Sequence, residues 1–297
     1  MSIHDDRIHE DRRRELAAGL RALHQDQGVS THHLAVRLGW SQSKVSRISR
    51  GATLPKPDEV EQWAHELSAP AEVRRHLVDL ARKAGLQLTE WRREVAPGRR
   101  RVQAEIGRKE AGASVIRLFG MDVIPGLAQT QAYAEVMFKL GQHQVPDAEQ
   151  ADVEQDNEGA VIERLTRQEA LGNSDKTFKL LCTETAFRRS LLPRDDMIEQ
   201  IDRVLEVARL SNVEFGVIPF SAKETTHIYH GFAVLGDPAV DDDAIVLVET
   251  VTRGLTIRST EEITGYAQHY DELAKIAITG DQLATFLQEV AVTSPWS

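Results

Sequence analysis

Two very short helical segments, separated by a glycine turn, constrain the fold of this chain more than any other feature. Residues 31–38 and 42–50 each carry apolar side chains at helical spacing on one side only, and Gly39 lies between them. Ser30 and Ser41 precede the two segments and are suitable N-cap residues. Helices of about eight residues are too short to be stable alone. The pair therefore requires neighbouring helices that complete a core.

Three further amphipathic segments supply that core. We predict helices over residues 11–27, around 60–67 and over about 70–84. The predicted inward positions of the five helices are Leu16, Leu20, Leu23, Leu34, Ala35, Leu38, Val45, Ile48, Val60, Trp63, Ala64, Leu67, Val73, Leu77, Leu80 and Ala81. Two short helices joined by a tight turn within an all-α core form a helix-turn-helix. Residues 1–84 are therefore predicted to be one all-α, five-helix domain.

The outer side of segment 42–50 carries amide, hydroxyl and basic side chains but no carboxylate, a combination suited to base edges and phosphates of DNA. The first turn of such a helix lies deepest in the major groove, so Gln42, Ser43 and Lys44 are predicted to read bases. Basic residues further along are predicted to contact phosphates, as are backbone N–H groups at the start of segment 31–38. The complete predicted DNA-contact set is Ser30, Thr31, Ser41, Gln42, Ser43, Lys44, Ser46, Arg47 and Arg50.

Charge is distributed unevenly along the chain. Residues 1–110 contain 21 Lys and Arg against 16 Asp and Glu, whereas residues 111–297 contain 15 against 30, within a formal net charge of −10. A basic module joined to an acidic one is typical of a regulator with one DNA-facing end. A protein-binding helical bundle with the same core is the alternative interpretation of residues 1–84.

The sequence lacks the features of membrane-spanning and disulfide-stabilised proteins. No apolar run approaches the roughly 20 residues that cross a bilayer, and the charged N-terminus lacks the apolar stretch of a signal peptide. Cys182, the single cysteine, excludes an internal disulfide. We therefore expect a cytoplasmic protein without membrane contact.

The pattern changes after a Pro-Gly and arginine-rich segment. We predict a linker over residues 85–101 and a second domain over 102–297. Predicted helices of this domain lie near 102–119, 129–140, 158–172, 195–210, 260–278 and 280–291, with a loop over 141–157. Segments rich in Val, Ile and Phe predict strands over 179–184, 213–220, 231–237 and 244–250. The second domain is therefore predicted to be α+β with a small sheet.

The run VSTHHLAVRLGWSQSKVSRISRG, residues 29–51, resembles the helix-turn-helix of the XRE family, the class of the lambda repressor, and the resemblance extends over residues 11–67. Two positions depart from the family pattern: Thr31 replaces a common phosphate-binding Gln, and Ser49 replaces a common Glu. The resemblance implies a transcription regulator that binds double-stranded DNA. Because small XRE modules read two half-sites as dimers, it also implies a homodimer.

A second series of motifs resembles the DUF5753 domain, which follows an XRE helix-turn-helix in actinobacterial regulators that include antitoxin-like members. The matching runs are VIPGLAQTQAYAEVM at 123–137, ERLTRQEAL at 163–171, TETAFRRSL at 183–191, NVEFGVIPF at 212–220 and VLVET at 246–250. Ala128 and Phe187 each stand where the family usually has Leu. This resemblance, over about 102–297, implies a small DUF397-type protein as a partner but identifies no effector.

Several polar residues of the second domain are candidates for a ligand site, each with a structural alternative. Gln129 and Thr130 follow a Pro-Gly turn and could line a pocket, although a helix-cap role is favoured. Arg164, Arg167 and Gln168 share a helical face and could hold an anion, although pairing with a carboxylate is favoured. The predicted carboxylate partners are Glu184 and Glu249.

No pattern in the second domain predicts an enzyme, a metal site or a cofactor. Glu184 and Glu249 lack a third catalytic partner in a recognisable pattern, so we expect no enzymatic activity. His227 and His230 lack a further ligand at zinc spacing, and the Asp-rich turn 241–243 lacks the Gly and terminal Glu of a calcium loop. We interpret these groups as solvated, and no Gly-rich loop predicts phosphate binding.

Two hypotheses of function follow. In the first, the protein is a sequence-specific DNA-binding regulator whose C-terminal domain senses a ligand or a partner protein. In the second, it is an antitoxin-like interaction protein that neutralises a small DUF397-type partner, and DNA binding serves autoregulation.

Overall fold

Helices occupy the N-terminal residues of the computed structural model, in the order that the sequence predicts. They are α1 (Ile3–Asp26), α2 (Thr31–Leu38), α3 (Gln42–Ser49), α4 (Pro57–Glu66) and α5 (Ala71–Ala84), followed by strand β1 (Leu86–Glu90). The structure describes residues 3–84, 86–90, 98–141, 150–241, 243–250 and 253–296. The five-helix prediction is confirmed, although α1 begins at Ile3 rather than near residue 11.

The chain divides into two compact units. The first comprises Met1–Thr89 with Leu255–Ile263, and the second comprises Glu90–Gly254 with Thr264–Ser297. The segment 85–101, predicted as a linker, contains β1 and the beginning of a helix at Arg99, while residues 91–97 lie outside the described residues. The described part of that segment is therefore mostly regular secondary structure.

Local capping explains why two helices of eight residues form where they do. The Ser30 hydroxyl accepts a hydrogen bond from the His33 N–H at 3.2 Å, and the Ser41 hydroxyl accepts one from the Lys44 N–H at 3.2 Å. Gly39 ends α2 in the left-handed region, with φ of 70°, a conformation that favours glycine. The predicted N-caps and the predicted glycine stop are thus confirmed.

One apolar core holds the helices of the first unit together. Its buried residues are Leu16, Leu20, Leu34, Ala35, Leu38, Val45, Ile48, Val60, Trp63, Leu67, Leu77, Leu80 and Ala81. Two of the predicted core positions differ: Leu23 is only partly buried, and Val73 is 37% exposed at the start of α5. Val73 lies in the first turn of its helix.

Truncating Leu34 should destabilise the first unit strongly. This side chain is fully buried in the core, so Leu34→Ala should lower the free energy of unfolding by about 2–5 kcal/mol. Val36 lies on the same helix but is 68% exposed, so Val36→Ala should change it by about 0.5 kcal/mol or less. Urea unfolding followed by circular dichroism measures both. Equal unfolding curves for the two variants would contradict the assigned face of α2.

Helices and strands alternate along the rest of the chain. The helices are α6 (Arg99–Gly112), α7 (Gln131–Gly141), α8 (Gln150–Arg167), α9 (Thr185–Arg188), α10 (Arg194–Ala208), α11 (Thr260–Ala274) and α12 (Asp281–Thr293), with 3-10 turns at Gly126–Ala128 and Gln168–Gly172. The strands are β2 (Val115–Gly120), β3 (Thr177–Thr183), β4 (Val213–Ile218), β5 (Phe232–Leu235), β6 (Ile245–Glu249), β7 (Arg253–Ile257) and β8 (Ile278–Thr279). The α+β prediction is confirmed.

The sheet of the second unit is mixed. Its strands follow the order β6-β5-β2-β3-β4-β8. β2 and β3 pair in parallel, as do β3 and β4, whereas β2 pairs with β5 in antiparallel orientation. One sheet face and the helices against it form the main core, in which Phe178, Phe187 and Ile116 are fully buried. The sheet is larger than the small one predicted.

Two predicted elements of the second unit are wrong. Residues 115–119, predicted as the end of a helix, form most of β2. The helix α6 ends at Gly112, and after Ser114 the chain continues as a central strand of the sheet. Residues 150–157, predicted as loop, form the first turns of α8. The Asp156 carboxylate of this segment accepts hydrogen bonds from the N–H groups of Arg99 and Arg100, which gives its polar turns a structural role.

Candidate nucleic-acid interface

The outer side of α3 presents polar side chains to solvent. Gln42, Ser43 and Arg50 are exposed, and Ser46 and Arg47 are half-buried. The Arg50 Nε donates to the Ser46 carbonyl at 3.2 Å, which directs this side chain along the end of the helix. The first turn thus offers an amide and a hydroxyl, and the last turn a guanidinium; their division between base edges and phosphates stays a prediction.

Lys44 makes a contact that the sequence pattern does not reveal. Its Nζ lies 2.7 Å from Oε1 of Glu59 on α4 and 4.9 Å from the centroid of the Trp40 ring. The second carboxylate oxygen of Glu59 accepts the Lys56 N–H at 2.9 Å and so caps α4. Lys44, predicted to read bases, is therefore held between α3 and α4, and Gln42 and Ser43 are the exposed side chains of the first turn that remain candidates for base contacts.

Releasing Lys44 should strengthen DNA binding. Glu59→Gln keeps an oxygen for the Lys56 N–H but removes the charge that holds Lys44. The freed ammonium should tighten binding to duplex DNA by about two- to fivefold, because the pair that it leaves is only partly buried and is worth on the order of 1 kcal/mol. Fluorescence anisotropy at constant salt measures the change. Weaker binding by Glu59→Gln would show instead that the Lys44–Glu59 pair holds α3 in its DNA-binding position.

The start of α2 retains part of its predicted capacity to hold a phosphate. The Ser30 side chain is engaged in capping, so it does not itself extend toward a ligand. Thr31 is half-buried at the first helical position, where backbone N–H groups have no acceptor within the helix. Ser41 has the same capping role at α3. Ser30 and Ser41 thus act as helix caps, and a phosphate contact by the backbone at the start of α2 stays a prediction.

Some of the predicted ligand residues of the second unit contact one another. The Gln129 side chain is buried, donates to the Ile124 carbonyl at 2.7 Å and accepts from Arg164 Nη1 at 2.8 Å. The Thr130 hydroxyl accepts the Tyr133 N–H at 3.3 Å, which is the cap of α7. Thr130 thus has the helix-cap role that the sequence favours, whereas the Gln129 side chain links Ile124 to Arg164 rather than capping a helix.

Arg167 pairs with a carboxylate that the sequence did not suggest. Its Nε and Nη2 donate to the two oxygens of Glu110 on α6, at 2.9 and 2.6 Å. Of the two predicted partners, Glu184 accepts Arg188 Nε at 2.5 Å. Glu249, at the end of β6, is near enough to Arg164 for its charge to oppose the desolvation that lowers the pKa of that guanidinium. Desolvation raises the pKa of Glu249, and the charges of Arg164 and Arg167 oppose that rise. The pairing prediction is therefore wrong for Glu184, whereas Glu249 is an electrostatic neighbour of both arginines.

Arg164 and Gln168 complete the same network. Arg164 lies over the Phe138 ring, with 4.2 Å between its Cζ and the ring centroid, and withdrawal from water lowers the pKa of its guanidinium to about 10, with the nearby Arg167 charge acting in the same direction. The Gln168 amide donates to the carbonyls of Gly126 and Gln129 at 3.1 and 2.8 Å. The groups predicted to hold an anion are thus occupied by the protein itself.

The remaining candidate groups do not form a metal site. Within the described ranges, no group of three His, Cys, Asp or Glu side chains is placed to hold a metal ion. His227 lies edge-on against Tyr229, with 4.6 Å between ring centroids. Asp241 is not simply solvated, because its Oδ2 accepts from the Ser114 hydroxyl at 2.5 Å and from the Asp237 N–H at 2.8 Å. Asp242 lies outside the described residues.

Family models match both parts of the chain. Residues 103–289, more than half of the chain, match the model of a domain of unknown function, DUF5753. The chain belongs to the DUF5753 family. In this DUF5753 protein, residues 15–77 match the model of a helix-turn-helix domain, and they lie within the first unit. Both family resemblances predicted from the sequence are confirmed.

Other comparisons add little to the DUF5753 assignment. No curated protein matches the chain. The solved structure of TrmBL2, described as an archaeal chromatin protein with a novel mode of DNA binding, matches at 12% identity over 85% of this chain and 88% of that one, with a TM-score of 0.30. A similarity at this TM-score supports no argument about the DUF5753 protein. None of its described helices combines the length and apolar character that a bilayer crossing requires.

Proposed function

We propose that this DUF5753 protein is a transcriptional regulator that binds double-stranded DNA in a sequence-specific manner. The observation that carries the proposal is the outer side of α3, where Gln42, Ser43 and Arg50 are exposed on a helix fixed by its Ser41 cap and by a buried apolar side. The helix-turn-helix match over residues 15–77 supports the same conclusion.

The chemistry of this surface suits the major groove. A Gln amide bonds adenine through two hydrogen bonds, a Ser hydroxyl accepts several partners, and an Arg at the far end of the helix reaches a phosphate. A helix of eight residues contacts only a few base pairs. Recognition of a longer site therefore requires two copies, and we propose that the protein binds as a homodimer to two half-sites.

The DUF5753 unit supplies the signal in this proposal, through a ligand or a partner protein. Residues 111–297 carry 15 basic against 30 acidic side chains, which favours a basic protein as the partner. A small DUF397-type protein is the candidate that the sequence resemblance suggests. The antitoxin-like role is the alternative: there the second unit neutralises the small protein, and DNA binding regulates its synthesis.

Substitutions at the two ends of α3 should affect DNA binding in different ways, because the first turn is proposed to contact bases and the last turn the phosphate backbone. Gln42→Ala should weaken binding to a duplex selected by the protein by about 1–3 kcal/mol and relax the preference at one base position. Arg50→Ala removes a cation that neutralises a phosphate, so it should weaken all sequences nearly equally and make the salt dependence shallower by about one unit. Titrations against single-base variants of the duplex measure both effects. If Arg50→Ala changed the preference and Gln42→Ala did not, the helix would dock in the opposite direction.

The partner alternative has its own test. Chromatin mapping of the full-length protein, with and without the protein encoded next to it, compares the occupied sites. If the protein occupies many promoters, and if this occupancy changes when the neighbouring protein is absent, the result supports a regulator that responds to a partner protein. Occupancy of its own promoter alone supports the antitoxin-like role.

A further inference from the structure

A row of charged side chains crosses the sheet of the second unit at Arg117, on the central strand β2. The strand registers pair Arg117 with Lys179 on β3, and Lys179 with Glu214 on β4. On the other side, Arg117 pairs with Val234 on β5. Residues paired in register point to the same face, with neighbouring strands about 5 Å apart. The two cations and the single carboxylate therefore lie side by side on one face.

Arg117 is buried, and two of its guanidinium nitrogens have no acceptor in the described part of the chain. The residue is only 9% exposed, and its Nε and Nη1 are buried with no hydrogen-bond partner among the described residues. Arg99, another buried arginine, differs in this respect, because its Nη1 donates to the Phe138 carbonyl and to Asn157 Oδ1. A buried guanidinium without acceptors destabilises a fold, so its presence on a central strand calls for an acceptor from outside the described residues.

The neighbours of Arg117 leave it short of negative charge. The Lys179 Nζ lies 3.4 Å from Glu214 Oε2, so the only carboxylate of the row forms an ion pair with the lysine. The adjacent residue on the opposite side is a valine. Adjacent like charges repel each other across paired strands, so Lys179 supplies no counter-charge to Arg117 and disfavours its burial.

Tyr270 of α11 lies against the same row. Its side chain is buried, and burial raises the pKa of its hydroxyl well above the usual value, while the negative charge of Glu214 raises it further and the positive charge of Arg117 lowers it. Two charges of the row therefore act on this hydroxyl. A neutral phenol is a hydrogen-bond donor, so this face combines a guanidinium, an ammonium and a hydroxyl as donors.

We propose that Arg117 anchors a binding site for a small oxyanion, a carboxylate or a phosphate group, with Lys179 and Tyr270 as additional contacts. An oxyanion supplies both the acceptors and the charge that Arg117 lacks, and Arg is the side chain best suited to bind such groups. This proposal rests on the proposed function, in which the second unit senses a ligand, and it specifies the chemical class of that ligand. Its residues all lie in the second unit, so oxyanion binding itself requires no DNA.

Calorimetry on the full-length protein tests this site with two probes, inorganic phosphate and malonate, in chloride buffer at constant ionic strength. The wild type should bind at least one probe saturably. Arg117→Met should weaken that binding at least tenfold, and Arg117→Lys, which keeps the charge but not the planar donors, should lie between them. Lys275→Met removes an exposed cation just after the end of α11 and should bind like the wild type.

Thermal unfolding gives a second measurement. In chloride alone Arg117→Met should melt at a higher temperature than the wild type, because it removes an unpaired buried charge, and the probe should raise the melting temperature of the wild type only. Three results would each overturn the proposal. In the first, the wild type shows no saturable binding; in the second, the wild type and Arg117→Met bind equally; in the third, Arg117→Met melts at a lower temperature than the wild type in chloride. Because no DNA enters these assays, such results leave the proposed DNA binding untouched.

Discussion

Raising the salt concentration from 50 to 200 mM should weaken DNA binding by about 10³–10⁵-fold, although the whole chain carries a net charge of −10. In the proposed function, cations of the first unit face the duplex, and each phosphate that they neutralise releases counterions. Exposed basic residues of that unit include Arg21, Arg37, Arg50, Arg75 and Arg82. A homodimer that neutralises about 6–10 phosphates should give a slope of log K against log salt near −5 to −9.

Anisotropy titrations of a labelled duplex over this salt range measure the slope. Lys275→Ala, on the acidic part of the chain, is the control and should leave the slope unchanged. A wild-type slope close to zero would mean that the first unit does not contact the phosphate backbone, and the protein-binding interpretation of the helical bundle would then be preferred.

Glu110→Ala should cause the largest loss of stability in the second unit, about 3–5 kcal/mol. The Glu110 side chain is 3% exposed and receives two hydrogen bonds from Arg167, itself only 10% exposed. Removing the carboxylate leaves a buried guanidinium without its counter-charge. The network that joins α6 to α8 would lose its central ion pair, and the melting temperature should fall by about 6–20 °C for a unit of this size.

A second ion pair between the same two helices provides the control. Arg100 Nε lies 3.2 Å from Glu163 Oε1, but the Arg100 side chain is largely exposed. Glu163→Ala should therefore cost about 0–1 kcal/mol. Calorimetric unfolding of both variants compares them directly. Similar losses for Glu110→Ala and Glu163→Ala would contradict the conclusion that burial decides the strength of the pair.

Sequence signals that act over a few residues predicted the first unit well. The Ser30 and Ser41 caps and the Gly39 stop each depend on hydrogen bonds within one turn, and α2 begins and ends where these residues place it. The apolar positions repeat at helical spacing because each helix packs one face against a single core. The outer side of α3 could be identified for the same reason.

Elements that depend on distant contacts could not be predicted in this way. β2 is buried on both faces of the sheet, so its sequence VIRLFG lacks the alternation that marks a half-exposed strand. The polar first turns of α8 are typical of a loop, and only the contacts of Asp156 with the backbone of α6 explain them. In both cases the deciding contacts join residues far apart in the chain.

Contacts between residues far apart in the chain also explain why parts of the candidate sites could not be predicted from the sequence. Glu59 reaches Lys44 from another helix, and Glu110 reaches Arg167 from a helix that precedes it by several elements. Neither pair has a characteristic spacing. The sequence did not indicate Arg117 as a candidate residue for a related reason. Its lack of hydrogen-bond acceptors can be recognised only from the residues on the neighbouring strands.

Selection of DNA from a random duplex library by the full-length protein tests the central claim most directly. If α3 is the reading helix of a homodimer, sequencing of the bound duplexes should yield one motif with two related half-sites, centred about one helical turn or a multiple of it apart. Selection with Gln42→Ala should relax one position in each half-site. Recovery of no enriched motif by a protein that is folded and intact would contradict sequence-specific DNA binding.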